Sequence, residues 1–100
     1  MGAVKSHFSD KEYLLYYIER QDYPNIQKML EKKPDLLEMS ITDKTKMTPL
    51  IRACFNGNLE MAKYFVEKCG AKVNTIGEAG DTALIVAARR NNLKIVRYLL

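Results

Sequence analysis

The sequence predicts an all-α solenoid of stacked helix-turn-helix hairpins joined by short β-hairpin-like loops. Three observations carry that reading. A block of residues returns in register at an offset of 34, and periods of 20 to 50 residues mark repeat architectures. Each copy opens on a threonine suited to cap a helix and closes that helix on glycine or asparagine. No strand pattern exists beyond the short loops.

The repeated block is long. Thr48-Pro49-Leu50-Ile51-Arg52-Ala53-Cys54 returns as Thr82-Ala83-Leu84-Ile85-Val86-Ala87-Ala88. Downstream, Asn56-Gly57-Asn58-Leu59-Glu60-Met61-Ala62-Lys63-Tyr64-Phe65-Val66 returns as Arg90-Asn91-Asn92-Leu93-Lys94-Ile95-Val96-Arg97-Tyr98-Leu99-Leu100. A segment of 1–8 precedes a divergent N-terminal capping repeat over 9–40, a full repeat over 41–74 and an incomplete third repeat over 75–100.

In the first repeat Ser9-Asp10-Lys11-Glu12 forms a capping box, with Phe8 and Tyr13 placed as a hydrophobic staple across it. Asp22 can cap the second helix, and Pro34 blocks its continuation. Shifted by 36, Leu14 overlays Leu50, Ile18 overlays Cys54, and Ile26, Met29 and Leu30 overlay Ala62, Phe65 and Val66. The first helix carries Tyr13, Tyr16, Tyr17, Glu19 and Arg20 rather than small residues, as suits an outermost repeat with one side in water.

In the second repeat Thr48 caps an inner helix, and Pro49 at its first position gives up only an N–H that had no helical partner. Leu50, Ala53 and Cys54, like Leu84, Ala87 and Ala88, recur at helical spacing and allow close approach. Gly57 and Asn91 then suit the left-handed stop. Asn58 and Asn92 can cap an outer helix, whose apolar face is Leu59, Ala62, Phe65 and Val66, matched by Leu93, Val96, Leu99 and Leu100. After Cys69, Gly70 stops that helix and Thr75 to Asp81 reads as a turn into the third repeat. The chain ends inside the last outer helix without a polar cap, so the expectation is a fragment of a longer array or an open face that self-associates through the uncapped C-terminal repeat.

These residues resemble the ankyrin repeat, with its Thr-Pro-Leu helix start, alanine pair, glycine turn, second helix and Gly-Ala-x-Val-Asn exit. The sequence departs from that pattern at Ile51 and Ile85, where the family usually carries histidine, at Ala83 in place of proline, and at Lys46 in place of glycine. The resemblance implies binding of another protein through hairpin tips and the concave inner-helix face. Carried over, these positions are Lys44, Thr45 and Met47 on the first hairpin and Glu78, Ala79 and Asp81 on the second. On the inner helices they are Arg52, Phe55, Asn56, Val86, Arg89 and Arg90, with Glu19 and Arg20 added by the shifted overlay. Aromatics and arginines are the usual anchors of interfaces, which singles out Phe55, Arg89 and Arg90. The plainer reading of the two arginines is a solvated helix end. The resemblance also implies an adaptor or scaffold, or an amino-terminal regulatory or substrate-recruiting domain of a larger enzyme or channel.

Composition agrees with a folded, non-catalytic chain. Of 100 residues, 47% are hydrophobic and 28% charged, ordinary globular proportions. Through Asp43 there are 6 Lys/Arg against 8 Asp/Glu, and from Lys44 onward 10 against 4. The second half can therefore attract a partner with an acidic surface. Nucleic acid is disfavoured, since neither a reading helix nor a stacking surface accompanies the basic half. His7 is the only histidine and stands apart from Cys54 and Cys69, so no nucleophile–base pair, metal site, cofactor or small-molecule substrate is expected. The two cysteines are read as reduced and buried, and the absence of a membrane span or secretory signal points to the cytoplasm. Met1-Gly2-Ala3-Val4-Lys5-Ser6 fits the pattern for acylation of Gly2. An unmodified start is the alternative, and membrane contact is expected only if Gly2 is acylated.

Overall fold

The computed structural model describes residues 8–100. Its first helix, α1 (Asp10–Glu19), begins where the Ser9 hydroxyl accepts the Glu12 N–H and the Glu12 carboxylate accepts the Ser9 N–H. The Phe8 and Tyr13 rings meet edge to face at 5.8 Å, so both the box and the staple form. α2 (Tyr23–Lys32) is capped by Asp22, which accepts from Asn25, and Pro34 converts the exit into a 3₁₀ turn over Pro34–Glu38.

α3 (Pro49–Asn56) and α5 (Ala83–Arg89) open on Thr48 and Thr82, whose hydroxyls accept from Ile51 and Ile85. α4 (Leu59–Lys63) is capped by Asn58 and runs on as a π-helical turn over Tyr64–Lys68. α6 (Leu93–Leu99) completes the third pair. Helices α1, α3 and α5 stack as an inner layer, and α2, α4 and α6 pair with them as an outer layer. The loops between repeats are closed hairpins without strands among the described residues. One is held by Ile41 N–H on the Met47 carbonyl at 2.8 Å, the other by Gly77 N–H on the Asp81 carbonyl at 2.7 Å.

The left-handed stops fall where the repeat places them. Gly57 has φ +74° and Asn91 +61°, and Gln21, at the same place in the first repeat, has φ +56°. Lys46 takes φ +54° where the later hairpin has Gly80 at +90°. A non-glycine side chain there costs about 1–2 kcal/mol, so the first hairpin carries strain that the second does not.

The expectations need correcting at four points. Asn92 does not cap α6; its Nδ2 instead donates to the Cys54 carbonyl at 2.6 Å, tying the third repeat to the second. Leu93 and Leu100, expected on the core face of α6, are 54% and 86% exposed, and Ala88 is exposed too. On the outer helices Ala62 and Phe65 are fully buried as expected, and Met61 and Ile95, each 1% exposed, join them on the enclosed side. Cys54 is fully buried, but Cys69 is only half-buried beside the π-helical turn.

One core runs through all three repeats. Leu14, Ile18, Ile26, Met61, Phe65 and Ile95 are its fully enclosed large side chains. Between the repeats, Glu38 accepts from the Lys72 N–H and the Thr75 hydroxyl, both at 2.9 Å. On the outer side, the Tyr23 and Tyr64 rings meet edge to face at 5.0 Å.

Candidate protein-binding face

Offsets of 36 and 34 line up three columns across the inner helices. Tyr16, Arg52 and Val86 form one, Glu19, Phe55 and Arg89 the second, and Arg20, Asn56 and Arg90 the third. The columns are stitched together diagonally. Glu19 accepts from Arg52 Nε at 3.1 Å, Arg52 Nη2 at 2.8 Å and Asn56 Nδ2 at 2.7 Å. The Arg52 hydrogen bond leads in holding the Glu19 carboxyl below its ordinary range, against partial burial that raises it; Asn56 adds to the lowering. Two guanidinium carbons lie over the Phe55 ring, Arg52 at 4.9 Å and Arg90 at 4.1 Å. Arg90 Nε also donates to the Phe55 carbonyl at 3.2 Å. In the first repeat, Arg20 lies over Tyr16 at 5.3 Å. Such contacts contribute about 0.5–1 kcal/mol each at exposed sites.

The hairpin tips project beside this face. Lys44, Thr45, Glu78 and Ala79 are exposed, with the Thr42 and Thr45 hydroxyls 2.6 Å apart and Thr42 accepting the Met47 N–H. Asp81 is engaged within its own repeat, accepting both terminal nitrogens of Arg89 at 3.0 and 3.1 Å. That fork lowers the Asp81 carboxyl and raises the Arg89 guanidinium.

Two of the residues expected at the surface lie elsewhere. Met47 is 7% exposed and Val86 2%. Met47 turns inward because its backbone closes the first hairpin and its side chain joins the core cluster. Val86 occupies the column of Arg52, but an apolar side chain there folds into the core. Arg52, Phe55, Asn56 and Arg90 do come together on one face, whereas Arg89 is held on Asp81. Tyr16 was missed: it is 54% exposed on the same face, and the overlay with Arg52 was the signal that could have found it. Gly2 and His7 lie outside the described residues.

Burial pushes the Cys54 thiol up to about 12. Among the described residues no three His, Cys, Asp or Glu side chains gather as a metal site, and no helix is long and apolar enough to cross a membrane.

The family model Ankyrin repeats (3 copies) matches residues 10–100. The chain belongs to the ankyrin-repeat family. A similar protein is "Protein fem-1 homolog A-like" of Mus musculus, 36% identical over 70 residues, which are 70% of this chain and 10% of that relative. The chain thus spans about a tenth of that relative's length. Within the ankyrin pattern, the departure at Ile51 has a visible physical basis. Ile51 is buried, and its Cδ1 lies 3.2 Å from where Gly77 would carry a Cβ, so apolar packing beneath the second hairpin stands in place of the polar histidine. Ile85, at the corresponding place in the third ankyrin repeat, is 43% exposed. Ankyrin repeats as a family are generally non-enzymatic modules for protein interaction.

Proposed function

We propose that this chain is an ankyrin protein-binding module that engages a partner protein through its concave inner-helix face and its hairpin tips, without catalysis of its own. The observation that carries the reading is the gathering of Arg52, Phe55, Asn56 and Arg90 on one accessible face, with exposed Arg89 in the same helix column as Phe55. Arginine and aromatic side chains held by one another present a firm contact surface at low entropic cost. Lys44, Thr45, Glu78 and Ala79 extend that surface at its edge, and the basic balance after Lys44 favours an acidic partner. The place of action is the cytoplasm, as an adaptor or scaffold.

The test is capture of cellular proteins by the full chain, by Arg90→Glu with Lys44→Glu, and by Lys28→Glu on the outer layer, each first checked for an unchanged melting temperature. A captured protein lost with the first variant and kept with the second supports the concave face. Equal capture by all three contradicts it.

The small share of the mouse relative that this chain spans favours a second reading, in which the module is a regulatory or substrate-recruiting part of a larger enzyme or channel. Acylation of Gly2 would tether it to membrane, with the single chain giving only marginal binding. Intact mass after co-expression with the acyltransferase tests this, and an unshifted mass ends it. Self-association through Ile85, Leu93 and Leu100 is checked by light scattering, where a monomer mass at high concentration excludes it.

A further inference from the structure

Arg20 and Arg90 hold the same place in their repeats, the residue that closes the inner helix. Each guanidinium rests against a ring of its own face, Tyr16 at 5.3 Å and Phe55 at 4.1 Å. Among the described residues neither forms an ion pair, whereas Arg52 and Arg89 are engaged with Glu19 and Asp81. The face therefore offers two uncompensated cations. A guanidinium already stacked on a ring loses less freedom on meeting a carboxylate, and its planar fork matches the two carboxylate oxygens.

The spacing of the two narrows the choice of ligand. One inner helix, α3, lies between their backbones, but the Arg90 guanidinium reaches back over Phe55 of α3 and donates to its carbonyl, so the two guanidiniums stand about one helix spacing apart, roughly 10 Å. An extended chain advances about 3.3 Å per residue, so about three residues cover that distance. A helical ligand would need about seven. At the middle station is Asn56, neutral and exposed, with its amide held on Glu19. A chain with a charge on every unit, such as a nucleic acid, would meet the Glu19 carboxylate there. Two separated carboxylates with an uncharged residue between them would not.

Resting on the concave-face reading above, we propose that this face binds an extended acidic segment of a partner protein. Two Asp or Glu side chains about three residues apart seat on Arg20 and Arg90, and an uncharged residue between them passes over Asn56.

Random 12-residue peptides displayed on phage and selected on the full chain test this, with every enriched peptide re-measured on the Arg20→Gln/Arg90→Gln double variant, on each single variant and on Lys28→Glu. Circular dichroism melting establishes that each variant is folded; if the double variant is not, the single variants carry the test. The expected result is enrichment of peptides with two acidic residues about three positions apart. Their affinity should fall about fivefold for each arginine removed, the upper range for an exposed ion pair, and should not change with Lys28→Glu. Peptides that bind the concave face without that acidic pair, or that keep full affinity for the double variant, overturn the inference while leaving protein binding intact. Enrichment only of peptides insensitive to every concave-face substitution, or of none, counts against the concave-face reading itself and this inference with it. Displacement of a selected peptide by oligo-thymidine twelve nucleotides long, at lower concentration than the peptide itself, also overturns it.

Discussion

Gly57 stands where the second repeat turns and the third repeat touches it, so its replacement by alanine reads the junction between them. The backbone there has φ +74°, and a Cβ would come within 3.1 Å of the Asn92 side-chain oxygen. Holding alanine in the left-handed region costs about 1–2 kcal/mol. Yielding to the new methyl moves Asn92, whose Nδ2 donates to the Cys54 carbonyl; losing that hydrogen bond costs about 0.5–1.5 kcal/mol more. The expected loss is about 2 kcal/mol, or roughly 8–16 °C in melting temperature for a chain of this size. Urea unfolding followed by far-ultraviolet circular dichroism measures it. With Asn92→Ala as the second variant, the double variant should lose less than the two single variants together, because both remove the same hydrogen bond. A Gly57→Ala variant within about 0.5 kcal/mol of the parent, the usual range for an unremarkable surface change, would refute the reasoning.

Other expectations follow from the same contacts. Lys46→Gly relieves the left-handed strain at φ +54° and should raise the free energy of unfolding in urea by up to about 1 kcal/mol after the entropic cost of glycine; a lowered midpoint counts against strain there. Glu38→Ala removes the carboxylate that accepts from Lys72 and Thr75 and should cost about 1 kcal/mol, with faster amide exchange at Lys72; unchanged exchange contradicts the link. Because the folded Glu19 carboxyl is held below its ordinary value of 4.5, its contribution is present above that value and is lost as acid is added through the folded value. The effect is under about 1 kcal/mol since the pair is partly exposed and so screened by solvent, and Glu19→Gln should flatten that limb of the pH profile. With its thiol pushed up to about 12, Cys54 should resist an aromatic disulfide reagent at pH 8 until the chain unfolds. Prompt titration of both cysteines in the folded protein would contradict its burial.

The fold is legible in the sequence because its punctuation is local. Ser9, Asp22, Thr48, Asn58 and Thr82 cap helices through side chains within three residues of their partners, and Gly57 and Asn91 turn the chain by their own backbone preference. What was not legible depends on neighbours from other repeats. Asn92 looks like a cap by analogy with Asn58, yet its partner is 38 residues away. Met61 and Ile95 escape a pattern drawn from single helices because the inner layer decides which side is enclosed. The binding face divides the same way. The column positions are set by the repeat period, but the pairing of Arg52 with Glu19 is a property of the assembled stack, while Arg89 finds Asp81 within its own repeat, and together these leave Arg20 and Arg90 uncompensated.

Protein binding through the concave face is tested most directly by amide and side-chain NMR spectra of the labelled chain titrated with a display-selected peptide. The account predicts that the shifts which move will cluster at Arg52, Phe55, Asn56, Arg89 and Arg90, spreading to Lys44 and Thr45, while α2 and α6 stay still. Shifts confined to the outer helices, or scattered evenly over the molecule, would contradict it.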